Sequence, residues 1–362
     1  MTFVYLFGLS ISLFLFLLLV MKQNKSSADR ILTAWIGFMT LHVSLFLADY
    51  FRFSYQYPHL LGLMLPLPIL HGAFLYWYTA KTTGKRISTG NVMLHLVPFV
   101  LLVALAVPFY SMSAPAKLEV FLNKGKGFEW YQLIQSGLFV VFGLGYSIAS
   151  IMAIRKHRKN LLNVVSNLEK GRLLWLESIA YGFIVIWLIV FPADDAIIFL
   201  AVSIFVLFIG VFGVNRTPVF FSVESKPEKY QKTGLSDTEA QTLSNSLQVF
   251  METNKPYRNP DLTLDELASM VKISPNQLSQ VINGHSGRTF YHYVNSFRIR
   301  EFIELSAQPD SRKFTFLGLA YECGFQSKTT FNKYFKLETG QTPSEYFTSA
   351  DPYNSQALSP AS

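Results

Sequence analysis

The first 215 residues are dominated by long apolar runs, and these constrain the fold more than any other feature. The chain opens MTFVYLFGLSISLFLFLLLV, and further runs follow, so that seven lie near 3–21, 31–50, 60–80, 92–110, 131–154, 177–193 and 196–214. Each approaches the roughly 20 residues that a helix needs to cross a hydrocarbon core. No charged n-region precedes the first run and no small-x-small cleavage site follows it, so it reads as a retained helix, not a signal peptide. The expected fold class is therefore all-α: a seven-transmembrane-helix bundle over 1–214, followed by a cytoplasmic helical domain.

Composition agrees with a division near Phe221. Mean hydropathy is +0.29 and 15% of residues are charged, with the apolar residues concentrated before that point. The net charge of +8 is equally uneven, since residues 1–222 carry 17 Lys/Arg against 8 Asp/Glu and residues 223–362 carry 14 against 15. The excess basicity thus belongs to the membrane half and says nothing about nucleic acid. The single cysteine, Cys323, excludes an intramolecular disulfide and a multi-thiolate metal site, and reads as a small buried side chain.

Seven crossings place the termini on opposite sides, and Lys/Arg in short loops mark the cytoplasmic side. One set of loops holds Lys22, Lys25, Arg30, Lys81, Lys85, Arg86, Arg155, Lys156, Arg158, Lys159, Lys170 and Arg172; the other holds only Arg52, Lys117, Lys124 and Lys126. The N-terminus is expected outside and everything after Val214 in the cytoplasm of a prokaryotic cell with a multi-pass inner-membrane protein. The sixth and seventh runs, joined by Pro192-Ala193-Asp194-Asp195, are expected to form an antiparallel pair around a tight outer turn.

Polar residues in lipid are costly and mark function by default, which makes His42, His71 and His95 candidate signal-sensing residues, with Asp49, Asp194 and Asp195 toward the outer face. No two of these histidines are spaced i, i+3 or i, i+4 and no H-E-x-x-H is present, so neither metal nor cofactor is expected. Helix-to-helix hydrogen bonding is the alternative role for them. Pro66, Pro68, Pro98 and Pro108 can kink the third and fourth runs, and a cavity bordered by such kinks is a candidate signal-binding pocket.

From Asn215 to Leu235 the chain turns polar, and Ser236-Asp237-Thr238-Glu239 then forms a capping box for an amphipathic helix over 236–254. Ala240, Leu243, Leu247, Phe250 and Met251 share one face, to be covered either by the following domain or by a second copy in a homodimer. Roughly 20 flexible residues give the tether a reach of only about 25 Å, so DNA would have to come to the membrane.

Residues 262–284, LTLDELASMVKISPNQLSQVING, predict two short helices about a turn at Lys272-Ile273. Thr263 and Glu266 cap the first; Ser274 caps the second, with Pro275 at its first position. Leu278, Val281 and Ile282 face inward, leaving Asn276, Gln277, Ser279, Gln280 and Asn283 outward, where their amides suit base edges in a major groove. After a long helix over about 289–305 the pattern recurs. Phe316, Leu317, Leu319 and Ala320 form a core, Cys323-Gly324-Phe325 a turn, and Ser327 a cap. Phe331, Tyr334 and Phe335 anchor a second reading helix that offers Lys328, Thr329, Asn332, Lys333 and Lys336 outward. Residues 312–336 hold five Lys/Arg against one Glu, so this strip is basic although its domain is not. Lysines there are expected on phosphates, with Thr and Asn nearer the helix start able to reach bases.

This double pattern resembles the DNA-binding domain of AraC/XylS-type transcription regulators. Ala320, Gly324-Phe325, Ser327, Phe331, Phe335-Lys336, Gly340, Thr342-Pro343 and Tyr346 in AYECGFQSKTTFNKYFKLETGQTPSEYF carry the likeness, with LTLDELA, LSQVIN and FYHYVNSFRI upstream. It spans about residues 256–347 and implies two helix-turn-helix units on one rigid linker helix, reading successive major grooves of double-stranded promoter DNA. Phe347 stands where the family commonly has Arg, removing one expected phosphate contact. A membrane segment replaces the soluble ligand-binding barrel, so the family's usual small-molecule ligands do not carry over.

The chain is thus expected to be a membrane-anchored, non-enzymatic transcription regulator that senses an unidentified membrane-derived or small-molecule signal and ends in a disordered tail at 348–362. The rival is an intramembrane enzyme or transporter with a regulatory helical domain.

Overall fold

A computed structural model describes residues 2–167, 170–190, 195–215, 235–308 and 313–350. The predicted outer turn at Pro192-Ala193-Asp194, the linker up to Gly234 and the tail beyond Ala350 lie outside the described residues. The chain separates into two compact units. One contains Met1–His157 with Lys170–Glu224; the other contains Arg158–Glu169 with Ser225–Ser362. All regular structure described is helical apart from one isolated antiparallel bridge between Val165 and Thr263.

The first unit is built from α1 (Thr2–Met21), α2 (Ser27–Tyr50), the short α3 (Phe53–Gln56), α4 (Pro68–Thr82), α5 (Thr89–Tyr110), α6 (Ala114–Leu122), α7 (Glu129–Leu161), α8 (Lys170–Ile189) and α9 (Asp195–Asn215). Helix α1 packs on α2 and α9, α2 on α4, and α8 on α9. Ser26 and Asp29 form a capping box that starts α2, with Lys22 bonded to Asp29 at 2.8 Å.

Among the described residues four helices, α1, α2, α5 and α7, are long and apolar enough to cross a membrane, against the seven expected. The third run fails as a single span for a local reason. Pro68 occupies the first turn of α4, and Pro58–Leu67 forms a 3-10 turn and bends in which Gly62 has φ +80°. What remains is a 15-residue helix with Ile69–Ala73, Leu75, Trp77–Ala80 and Thr82 buried, enclosed by protein where a lipid-facing helix would be exposed. The sixth and seventh runs give α8 and α9, helices of 20 and 21 residues whose described apolar stretches are Leu173–Ile189 and Ile197–Val211. By contrast Leu133, Val141 and Met152 on α7 and Met93, Leu94 and Val100 on α5 are exposed apolar side chains of the kind lipid covers.

The second unit comprises α10 (Asp237–Asn254), α11 (Leu264–Met270), α12 (Pro275–Ser286), α13 (Phe290–Ser306), α14 (Phe316–Glu322), α15 (Lys328–Thr339) and α16 (Pro343–Ala350). Ser236 and Glu239 cap α10. Leu247 and Met251 enter the core around α11 and α12, with Leu243 and Phe250 packed at its edge. The stripe is therefore covered by its own unit, which supplies the burial that a dimer contact would otherwise provide. Helix α13 is the axle. Phe290, Val294 and Phe297 go to that first core, while Tyr291, Ile299 and Phe302 go to a second core with Leu319, Phe331 and Phe335. A helix buried on two faces shows no single apolar stripe, and α13 has none.

Candidate nucleic-acid interface

Both helix-turn-helix units form where the local chemistry directs. In the first, reciprocal capping boxes start α11 (Thr263 with Glu266) and α12 (Ser274 with Gln277), and Lys272 makes the turn at φ +57°. In the second, Thr315 and Ser327 cap α14 and α15, and Gly324 makes the turn at φ +94°. Leu278, Val281 and Ile282 are buried under α12, and Thr330, Phe331, Tyr334 and Phe335 under α15.

Asn276, Gln280 and Asn283 are exposed on α12, and Lys328, Thr329, Asn332, Lys333 and Lys336 on α15. Three of the candidate residues have local duties. Gln277 is half-buried, its side-chain oxygen accepting from the Ser274 amide at 3.0 Å and hydroxyl at 2.9 Å. Ser279 accepts from Asn283 Nδ2 at 3.1 Å, and Ser327 receives the Thr330 amide at 3.2 Å. Arg288, just past α12, bonds Glu338 of α15 at 2.8 Å and so ties the two reading helices together. The field around α15 is positive: burial, and then Lys333 and Arg288, lower the pKa of neighbouring His292.

Phe347 has a structural use that replaces the missing arginine. It stacks on Phe316 with centroids 4.7 Å apart and meets Phe302 and Phe335, closing the second core. Cys323 lies in the same core, its thiol pushed up to about 12 chiefly by burial, hence inert.

Beneath the reading helices sits a network that the spacing of motifs did not reveal. Arg298 of α13 is fully buried and has no carboxylate partner among the described residues; its Nε donates to the Tyr257 carbonyl at 2.7 Å and its Nη2 to the Asn259 carbonyl at 2.9 Å. Its Nη1 donates to the Ser166 carbonyl at 3.0 Å and its Nη2 also to the Ser166 hydroxyl at 3.1 Å. Asn295 also donates to the Ser166 carbonyl, at 3.2 Å. Burial lowers the Arg298 pKa to about 10, which leaves it charged at neutral pH. The segment Leu162–Ser166, which follows directly on α7, is thus threaded into this unit. The Leu264 amide bonds the Val164 carbonyl at 2.9 Å, the Ser166 amide the Leu262 carbonyl at 3.1 Å, and the Tyr291 amide the Leu162 carbonyl at 2.9 Å. Leu162 touches the second core and Val164 the first. The only sequence hint was polar Asn295 and charged Arg298 on a helix otherwise lined for two cores.

One turn later Glu301, 1% exposed at its side chain, takes Arg258 in a short bidentate pair and Lys255 at 2.9 Å. Burial raises its pKa, but the hydrogen bonds from Arg258 and Lys255 outweigh that and leave it lowered.

In the first unit His42 and His71 come together: His42 Nδ1 lies 3.0 Å from His71 Nε2, and Trp35 Nε1 donates to His71 Nδ1 at 3.2 Å. His95 stands apart, 2.9 Å from the Tyr146 hydroxyl. Among the described residues no group of three or more His, Cys, Asp or Glu could hold a metal ion.

Comparison with known families agrees with this geometry. A family model described as a helix-turn-helix domain matches residues 267–349. The match covers the two reading helices and the axle between them. No curated protein and no solved structure matches the chain.

Proposed function

We propose that this protein is a membrane-anchored transcription regulator that binds promoter DNA sequence-specifically through α12 and α15 and is controlled by a signal sensed in or across the membrane. The observation that carries the reading is the make-up of the second unit: a double helix-turn-helix domain whose interior takes in Leu162, Val164 and Ser166 of the segment Arg158–Ser166, the last turn of the apolar helix α7 and the residues directly after it. That segment also contributes basic residues to the loop set that marks the cytoplasmic side, which supports a cytoplasmic DNA-binding unit and an external N-terminus. A movement of α7 or α8 would be transmitted to the hydrogen bonds on Arg298 and so to the axle between the reading helices. Allostery of this kind needs two arrangements with different affinity for DNA, and a strap tied to the axle is a physical means of having them.

In this reading Asn276, Gln280 and Asn283 face bases, and Lys328, Lys333 and Lys336 face phosphates, with Thr329 and Asn332 at base edges. Gln277, Ser279 and Ser327 hold the helices in register. The unit is a regulator, not an enzyme. The test is genome-wide crosslinking of the tagged full-length protein to DNA in parallel with the Lys333→Glu/Asn276→Ala double variant. Discrete promoter peaks lost in the variant support the reading, while identical peaks in both would sink the assignment of these helices. An alkaline phosphatase fusion after residue 215 that is active would overturn the orientation.

A further inference from the structure

Within the membrane unit a cavity of about 290 Å³ opens among α2, α4, α7, α8 and α9, close to the lower end of the roughly 300–1,000 Å³ typical of small-molecule sites. Its wall is almost wholly apolar, with Val43, Phe139, Trp187 and Val202 among the lining groups, and His42, His71 and Gln135 as the polar exceptions. Gln135 is committed, its amide donating to the Leu65 carbonyl.

The histidines are not interchangeable. Trp35 Nε1 can only donate, so His71 Nδ1 must be unprotonated and the His71 proton sits on Nε2. That proton is given to His42 Nδ1, which places the His42 proton on Nε2. The chain Trp35, His71, His42 therefore runs in one direction and ends in a single N–H donor. No partner for His42 Nε2 is found among the described residues, and His42 is half-buried on the cavity wall. A polar donor left open to an apolar space costs free energy unless something accepts from it.

We infer that this cavity binds an uncharged, mainly apolar molecule with one hydrogen-bond-acceptor oxygen, a ketone, ester or alcohol, held by His42 Nε2–H. At the roughly 30 Å³ of a liquid water, the space takes on the order of ten non-hydrogen atoms, which excludes a whole phospholipid. None of the described lining residues is charged, which favours an uncharged ligand over a carboxylate or a phosphate. The inference rests on the sensor reading above, for which it names the class of signal.

The experiment uses the full-length protein in lipid nanodiscs and two photoprobes of about ten carbons carrying a diazirine, one a methyl ketone and one the matching alkane, with peptide mapping of the labelled sites. Expected is labelling around Trp187 and Val202, stronger for the ketone by roughly three- to tenfold, the worth of one hydrogen bond, and competed by unlabelled 2-decanone. His42→Phe should bring the ratio to about one, while His42→Gln, which keeps an amide donor, should retain it. Val202→Trp, which fills the space, should remove labelling by both probes. Intact helical circular dichroism and elution volume identify variants that remain folded. Equal labelling by both probes in the natural protein, or labelling confined to exposed positions such as Leu133, Val141 and Met152, would overturn the inference. Promoter retardation by the same preparations separates the two readings: DNA binding with no ketone preference removes the pocket alone, and ketone preference without DNA binding removes the regulator reading alone.

Discussion

Arg298 and Ser166 lie 132 positions apart in the chain, yet the arginine spends two of its donors on that serine, at 3.0 Å to the carbonyl and 3.1 Å to the hydroxyl. A buried guanidinium whose acceptors among the described residues are carbonyls and a hydroxyl depends on every one of them.

A fragment comprising 235–350 alone should therefore be less stable than the same fragment fused to 158–167. Leaving a buried charge short of partners costs about 3–5 kcal/mol, and the loss should show as a lower urea midpoint. A synthetic 158–167 peptide added in excess should raise the midpoint by mass action. Equal midpoints with and without the segment would show that the strap does not belong to this unit.

Gly324→Ala should be among the most damaging substitutions in the second unit. The turn has φ +94°, and an added Cβ would lie 2.4 Å from the Tyr257 carbonyl oxygen and 2.9 Å from that of Arg258. Strained backbone alone costs on the order of 1–3 kcal/mol, and the backbone overlap adds to it because the Tyr257 carbonyl cannot swing away without releasing Arg298 Nε. Thermal melting of the 158–167/235–350 fusion checks this, with Gly340→Ala as the comparison, since a Cβ there meets nothing within 4 Å.

Acid should loosen the same region. Glu301 has a folded pKa below its ordinary 4.5, so its contribution is complete above about that pH and is lost as the pH falls through the folded value. Glu301→Gln should flatten this acid limb while lowering stability at pH 7, because Arg258 and Lys255 lose their ionised partner. Urea titrations at pH 7 and pH 3 measure both effects.

Lys333 and Asn276 should fail differently on DNA. Lys333→Ala should weaken binding to all sequences and reduce the slope of log K against log salt by roughly 0.9, as expected for one phosphate contact. Asn276→Ala should leave that slope unchanged and lose roughly 1–3 kcal/mol of discrimination at one base pair. Retardation across a salt series, with single-base variants of a mapped promoter site, distinguishes them.

Much of the second unit was legible because its signals are local. Caps at Ser236, Thr263, Ser274 and Ser327 act within three residues, and the buried and exposed faces of α12 and α15 follow from helical spacing. The count of membrane-crossing helices was not, because hydropathy sums apolarity without regard to what covers it. The 60–80 run is apolar because α4 is enclosed by protein, and Pro66 and Pro68 shorten it. The three histidines looked equivalent along the chain, but His71 meets both Trp35 and His42 while His95 meets Tyr146, a division that depends on which helices pack together.

Sequence by itself determined the helical class, the apolar first half, the two helix-turn-helix units and the basic strip on α15, since each depends on residues within one or two turns of one another. Tertiary structure alone decided that Ser166 completes the shell of Arg298, that α10 covers the first core, and that a directed donor chain ends at a cavity. The hydrogen bonds among them span 29 to 132 positions, and hydrogen-bond partners at such separation are chosen by the packing of whole helices, which no local propensity encodes.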